Sequence, residues 1–279
     1  MDLYFNFFKA NPALFSFSAA VIGLMIGSFL NVVIYRLPIM MARRAGEIKK
    51  EGVFTLSQPA SACPRCEHKI RWWENVPVLS YLVLWGKCAG CGVGISCRYP
   101  LIELLTGSLF LTIAMVWGVT LTACLMMLAT ALLVALLFID WDTRYLPNVL
   151  NYPFIAIALL FMVTTDVIDS HSALWGATVG ALPLYLLAVG MMYWRNTEVI
   201  GLGDIKLLLG FGVMLGVEGV LNTLLLASVL FVVGSLCNFT GEKENGRLSA
   251  FGPHIIIAGW MQMVWGSSIY RLGLFDLPI

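Results

Sequence analysis

The sequence predicts an all-α, polytopic membrane protein with about eight transmembrane helices and one small loop domain. Hydrophobic residues make up 59% of the 279 residues and charged residues only 12%, which is outside the range of ordinary soluble or disordered domains. The charges are also bunched, so that the stretches 11–35 and 104–139 carry none. Because roughly 20 helical residues cross a bilayer, the first stretch predicts one span and the second predicts two.

Uncharged runs punctuated by glycine and proline define the spans. They cover about 13–35, 99–117, 121–139, 149–166, 173–194, 205–217, 219–239 and 253–270. Residues 1–36 are therefore assigned to a first transmembrane helix, 37–98 to the loop domain and 99–279 to a seven-helix membrane domain. An even number of spans places both chain ends on one side of the membrane.

The basic residues predict the orientation. All of the 17 lysines and arginines except Lys9 and Arg271 fall on the side of the 37–98 loop. Because cytoplasmic loops are enriched in lysine and arginine, this loop is expected in the cytoplasm. The net charge is only +1, and the sequence has no pattern of basic and aromatic residues that would indicate nucleic-acid binding.

Two Cys-x-x-Cys pairs, 63–66 and 88–91, lie in the loop. Each pair forms a turn that directs two thiolates to one point, so Cys63, Cys66, Cys88 and Cys91 predict a tetrahedral zinc site. The alternative is a set of redox or disulfide pairs, which a cytoplasmic location disfavours. The loop is therefore interpreted as a zinc-binding domain.

Acidic residues stand at the edges of two predicted spans. Asp140 and Asp142 are two residues apart and so point about 200° from each other on a helix, with Asp140 continuing the apolar run. Asp204 follows Gly201-Leu202-Gly203 at the start of another apolar run. An acid in a membrane segment indicates function, although Asp204 could instead cap its helix. Two close carboxylates share a proton, as aspartic protease chemistry requires.

The sequence carries an ordered set of motifs: Gly27 to Asn31 with Tyr35 to Pro38, the cysteine pairs, Ile95 to Pro100 with Glu103, Asp140 to Asn148, Gly201 to Lys206, and Phe251 to Pro253. This set resembles that of the bacterial type IV prepilin peptidases, which are GxGD membrane aspartyl proteases. The resemblance implies Asp140 and Asp204 as the catalytic pair and Gly201, Gly203 and Lys206 in the active-site loop. It also implies a multi-pass protein of the bacterial inner membrane, with zinc domain and active site on the cytoplasmic side.

The same resemblance implies the reaction. The expected substrates are prepilins or the pseudopilins of type II secretion, cut after a basic leader, and the new N-terminus is expected to be methylated with S-adenosylmethionine as donor. Asn31, Arg36 and Glu103 are candidate contacts on the substrate or methyl-donor side. Simpler roles are a hydrogen bond across helices for Asn31 and a first-turn acid for Glu103. The oligomeric state stays open, and a transporter or a zinc-bearing membrane scaffold are the alternatives.

Overall fold

The computed structural model describes residues 2–48, 52–195, 201–237 and 250–271, and within these ranges the regular structure is helical. The helices are α1 Asp2–Ala10, α2 Pro12–Arg44, α3 Leu79–Val83, α4 Arg98–Trp117, α5 Leu121–Thr143, α6 Asn148–Thr164, α7 Ser170–Arg195, α8 Leu202–Cys237 and α9 Gly252–Arg271. A 3-10 turn, Trp72–Asn75, precedes α3.

Five of the described helices (α2, α4, α5, α7 and α8) are long and apolar enough to cross a membrane, and α6 is a shorter apolar helix. These helices confirm the all-α membrane fold class. The count of eight spans and the domain boundaries at 36 and 98 stay predictions. Each predicted span overlaps a helix, and α2 continues past residue 36 to Arg44.

Helix α8 covers both the sixth and the seventh predicted spans, and it is broken inside. Gly216 has φ 70° and ψ −171°, which is not helical. The sequence placed the break at Gly219, three residues later. The difference follows from packing, because a Cβ at Gly216 would lie 2.6 Å from the Ser172 hydroxyl of α7. A glycine at this contact can adopt the positive φ that other residues avoid.

The chain forms two compact units, Met1–Ala135 and Leu136–Ile279. In the first unit α2 packs along α4. A Cβ on Gly23 would lie 2.9 Å from the Gly107 Cα, and a Cβ on Gly27 would lie 2.8 Å from the Glu103 Cα. These glycines let the two backbones approach closely, as small residues do between membrane helices.

In the second unit α8 packs against α6, α7 and α9. The Phe211 ring of α8 meets the Phe154 ring of α6 edge to face, with ring centroids 5.1 Å apart, and both side chains are fully buried. The Phe211 ring also fills the space where a Cβ on Gly259 of α9 would lie. Helix α8 is therefore the centre of this unit, and its first turn carries Asp204.

Candidate active site and metal centre

Asp140 lies near the end of α5 with only 4% of its surface exposed, whereas Asp142 is exposed. The helix continues to Thr143, so the two carboxylates leave it on different sides. The backbone N–H of Arg144 donates to the Asp140 carbonyl at 2.8 Å, and the helix ends before Arg144 because this residue has φ 58°. The orientation expected from the spacing of the two acids is the one found.

Asp204 is the third residue of α8 and is not its capping residue, because the helix begins at Leu202. Its backbone N–H donates to the Gly201 carbonyl at 3.1 Å. Gly203 is required by close contact, since a Cβ there would lie 2.6 Å from the Leu146 Cβ. Gly203 therefore lets α8 start against the segment that follows α5, whereas a Cβ at Gly201 would lie 3.3 Å from the Asp204 Oδ2.

Gly252, the first residue of α9, brings the two carboxylates together. A Cβ built on Gly252 would touch Oδ2 of Asp140 and would lie 3.0 Å from Oδ1 of Asp204. Both carboxylates thus face one point on the backbone of a third helix. The sequence indicates Gly252 only as part of a motif and gives it no place in the site. The signal that marks it is a Gly-Pro pair opening an apolar helix.

The two aspartates line one cavity of about 450 Å³ together with Arg144, Met192 and Lys206. Lys206 is held on α6: its Nζ donates to the Asn148 Oδ1 at 2.6 Å and lies 5.1 Å from the centre of the Tyr152 ring. The cavity therefore combines a carboxylate pair with positive side chains. Such a pair can activate a water molecule and polarise a peptide carbonyl.

Asn31 and Glu103 are used inside the first unit. Both are buried, and the Asn31 amide donates to the carbonyls of Gly27 and Tyr99, each at 3.2 Å. This is the hydrogen bond across helices that was expected. Glu103 is the sixth residue of α4, beyond the first turn, so its interpretation as a first-turn acid was wrong. Its carboxylate instead accepts the Val78 backbone N–H at 2.8 Å.

Arg36 is buried as well and is held by the loop that follows α2. Its guanidinium donates to the carbonyls of Thr55 at 2.9 Å and Pro59 at 2.8 Å, and it lies 5.5 Å from the centre of the Phe54 ring. The sequence could not indicate these partners because they are backbone atoms. The three polar residues of the first unit thus support its own packing.

The four predicted cysteines form one cluster in which all the sulfur atoms lie within 4.8 Å of one another. The Sγ atoms of Cys63 and Cys91 are 3.9 Å apart, as are those of Cys66 and Cys88. Zinc–sulfur bonds of about 2.3 Å in a tetrahedron separate the sulfurs by about 3.8 Å. The cluster could therefore hold a metal ion, and the two pair distances of 3.9 Å are close to those of a tetrahedral zinc site.

The two cysteine turns have the same backbone design. The N–H of Glu67 donates to the Cys63 carbonyl at 3.0 Å, and the N–H of Gly92 donates to the Cys88 carbonyl at 2.9 Å. Glu67 and Gly92 both have positive φ, 56° and 69°, directly after the second cysteine of each pair. The loop thus presents two equivalent turns, each contributing two sulfurs.

The thiols of the cluster do not ionise alike. Backbone hydrogen bonds from Arg65 and Cys66 lower the pKa of Cys63 to about 6. A backbone hydrogen bond from His68 lowers the pKa of Cys66, but the contact with Cys91, burial and the other thiols outweigh it and raise that pKa to about 12. Because thiolates this close repel one another, a bound cation would stabilise the fully deprotonated set.

Comparisons with known proteins identify the family. The profile described as Bacterial Peptidase A24 N-terminal domain matches residues 21–117, and that of the Type IV leader peptidase family matches residues 127–236. A protein of Neisseria gonorrhoeae named prepilin leader peptidase/N-methyltransferase is 39% identical over 264 residues, which cover 91% of each chain.

Proteins with the same name match similarly in other bacteria. That of Stutzerimonas stutzeri is 40% identical over 280 residues, or 95% of each chain, and that of Pseudomonas aeruginosa is 38% identical over 277 residues, or 95% of this chain and 96% of the relative. No solved structure matches the chain significantly. Since the similarity to these relatives extends over more than nine-tenths of both chains, this protein belongs to the type IV leader peptidase family.

Proposed function

We propose that the protein is a membrane aspartic endopeptidase that removes the basic leader from type IV prepilins or type II secretion pseudopilins. The observation that carries the proposal is the meeting of the Asp140 and Asp204 carboxylates at Gly252, beside a cavity. The relatives' names supply the substrate class and add N-methylation of the new N-terminus. Neither a transporter nor a zinc-bearing scaffold is favoured by these relatives.

In the proposed reaction the two carboxylates share one proton. The ionised carboxylate takes a proton from water as the water oxygen attacks the scissile carbonyl carbon, and the protonated carboxylate donates a hydrogen bond to the carbonyl oxygen. Collapse of the tetrahedral intermediate breaks the C–N bond, and a proton passes to the leaving amine. The products are the free leader and a pilin with a new N-terminal amine.

Gly201, Gly203 and Lys206 are assigned to positioning. Gly203 lets the first turn of α8 lie against Leu146, which fixes the height of Asp204 relative to the end of α5. The Lys206 bond to Asn148 ties the same turn to the start of α6. Contacts of Gly203 with Leu146 and of Lys206 with Asn148 thus support a fixed position for Asp204 in the site.

The proposed cofactors have separate roles. Cys63, Cys66, Cys88 and Cys91 would hold a structural zinc ion, which joins the two cysteine turns and takes no part in peptide cleavage. S-adenosylmethionine would supply the methyl group. A role on the substrate or methyl-donor side stays a prediction for Asn31, Arg36 and Glu103. Their buried contacts support a structural role.

The proposed location is the bacterial inner membrane, with the loop domain and the carboxylate pair on the cytoplasmic side. The support is the distribution of lysine and arginine, which is concentrated in the 37–98 loop and in the later loops on the same side.

Cleavage of a detergent-solubilised prepilin by the purified protein tests the proposal. Asp140→Asn and Asp204→Asn should each abolish cleavage, because the two carboxylates act as one unit. Asp142→Asn is the matched control: its carboxylate is exposed on the same helix, so cleavage should be retained. If Asp142 proved essential and Asp140 dispensable, the assignment of the pair would be wrong.

A further inference from the structure

Residues 76–85 of the loop domain form an apolar segment whose large side chains are exposed. Its sequence is Val-Pro-Val-Leu-Ser-Tyr-Leu-Val-Leu-Trp, without a charge, between Glu74 and Lys87. Large apolar side chains on it are open: Leu79 and Leu82 are each 62% exposed, Val83 75% and Trp85 87%. A run of ten residues is too short to span a bilayer, but it has the length of an interfacial segment.

The segment is fixed to a membrane helix by a buried carboxylate. The Val78 N–H donates to the Glu103 Oε2 at 2.8 Å, and Glu103 of α4 is only 8% exposed. Val78 has φ 60°, a conformation that β-branched residues rarely adopt. The hydrogen bond to the buried Glu103 carboxylate therefore holds the Val78 backbone in an unusual conformation and fixes the segment to α4.

Two helices independently measure the depth of this contact. From Glu103 to Trp117, the end of α4, the helical rise is about 21 Å. From Gly27, whose missing Cβ would lie 2.8 Å from the Glu103 Cα, back to Pro12 at the start of α2, the rise is about 22 Å. With the far ends of α4 and α2 taken at the opposite boundary of a hydrocarbon core about 30 Å thick, both rises place the level of the Glu103 Cα roughly 8 Å below the near boundary.

We propose that residues 76–85 lie in the bilayer interface, with Leu79, Leu82, Val83 and Trp85 in contact with lipid acyl chains. Trp72 and Arg71, just before the segment, suit the headgroup region, because tryptophan and basic side chains concentrate there. The Glu103 bond then has a physical reason: a backbone N–H at this depth must be satisfied by protein. The loop domain thus has a lipid-inserted edge, which depends on membrane embedding and not on the proteolytic mechanism.

Photocrosslinking in native membranes tests this proposal. A p-benzoylphenylalanine residue in place of Trp85 or Leu82 should form adducts with phospholipid, detected by mass spectrometry. The matched control is the same residue in place of Val53, which is 72% exposed in another part of the loop and should give no lipid adduct. Lipid adducts at all three positions, or at none, would overturn the proposal.

A prepilin supplied in the same membranes distinguishes the other occupant of an apolar face. Adducts with prepilin in place of lipid at position 85 would overturn the proposal and make the segment a substrate surface. Glu103→Leu, which removes the acceptor for Val78, should abolish the lipid adduct at position 85, whereas Glu103→Gln keeps an acceptor oxygen and should preserve it. Cleavage of prepilin in solution by the unmodified protein reports separately on the proposed function.

Discussion

Gly252 shows how much a single missing side chain can determine at the active site. Asp140 comes from the end of one helix and Asp204 from the start of another, and the backbone of Gly252 lies against both carboxylates. A methyl group there has no free space to occupy. It would have to push at least one carboxylate away, which would change the distance between the two proton-sharing groups.

We therefore expect Gly252→Ala to reduce cleavage about tenfold or more, since misplacing a reacting group by about 1 Å can cost about a hundredfold in rate. The measurement is the rate of prepilin cleavage by purified protein. Gly190→Ala is the control, because a Cβ at Gly190 of α7 meets no atom within 4 Å. Full activity in a folded Gly252→Ala protein would contradict this view of the site.

At the scale of single residues, the sequence predicts the orientation of a side chain better than it predicts its hydrogen-bond partners. The inward orientation of Asp140 follows from helix periodicity and from the apolar run that it continues. The contacts of Glu103 and Arg36 do not, because their partners are backbone atoms 25 and 19 to 23 residues away in the chain. No pattern of side chains identifies which loop backbone will fold back onto a buried charge.

The contact between α7 and α8 has glycines on both sides. A Cβ on Gly176 of α7 would meet the backbone of Gly212 and Gly216 on α8, and a Cβ on Gly212 would meet the backbone of Gly176. Backbone atoms cannot rotate away as a flexible side chain can. The two helices are therefore in contact at a distance that only glycine permits.

Gly176→Ala should consequently lower the stability of the protein by about 1–3 kcal/mol. Gly190→Ala, on the open side of the same helix, should leave stability unchanged or raise it, because alanine favours helix by about 1 kcal/mol over glycine. Thermal unfolding of both variants in detergent measures the difference. Equal midpoints would show that α7 and α8 do not depend on this close contact.

The loop domain should carry one zinc ion per chain at near-neutral pH. Metal analysis of the purified protein checks this, and Cys97→Ser should leave the content unchanged because Cys97 lies outside the four-sulfur cluster. Chelation should destabilise the loop more than it slows cleavage. Immediate inhibition of a folded enzyme by chelators would indicate a metalloprotease.

Acid should weaken the same domain. Protons compete with the metal for the thiolates, so the affinity for zinc decreases as the pH is lowered. Glu74 adds a second effect: the Arg71 backbone N–H, and then His68, hold the pKa of its carboxyl below the usual value. Its contribution to stability is present above the unfolded pKa and is lost as pH falls through the lowered folded pKa. Glu74→Gln should therefore reduce the acid sensitivity of a chelated sample.

Among the structural elements, the cysteine turns were the most predictable from sequence, because each ligand pair is local. The break in α8 was placed three residues too late. Gly216 and Gly219 are equivalent as sequence punctuation, and only the contact of Gly216 with Ser172 distinguishes them. Tertiary contacts, which are absent from the local pattern, decide between such alternatives.

For the whole chain, the orientation can be tested with two matched valines. Val53→Cys lies in the loop predicted to be cytoplasmic, and Val167→Cys lies between α6 and α7 on the predicted outer side; both valines are exposed. A membrane-impermeant maleimide should label Val167→Cys in intact cells and should label Val53→Cys only after permeabilisation, each above the parent chain. The reverse pattern would invert the proposed topology.

The fold class of the whole molecule was predictable because composition and the spacing of charges reflect the bilayer directly. Five of the described helices are long and apolar enough to cross it. What composition could not reveal is that an uncharged piece of the loop domain, residues 76–85, is bonded to a membrane helix. A window long enough to detect a span averages this short segment with the charged residues around it.

The close packing of Gly23 and Gly27 on α4 also has a consequence for the synthesis of the protein. Gly27 of α2 is synthesised before the 37–98 loop and before α4. At about 5–20 residues per second, roughly 4 to 15 s pass between the synthesis of Gly27 and that of Glu103. During that time α4 is not yet available to cover the glycine face of α2, and faces of this kind pair with one another in lipid. The nascent α2 must therefore reach its own α4 before it meets the α2 of another copy.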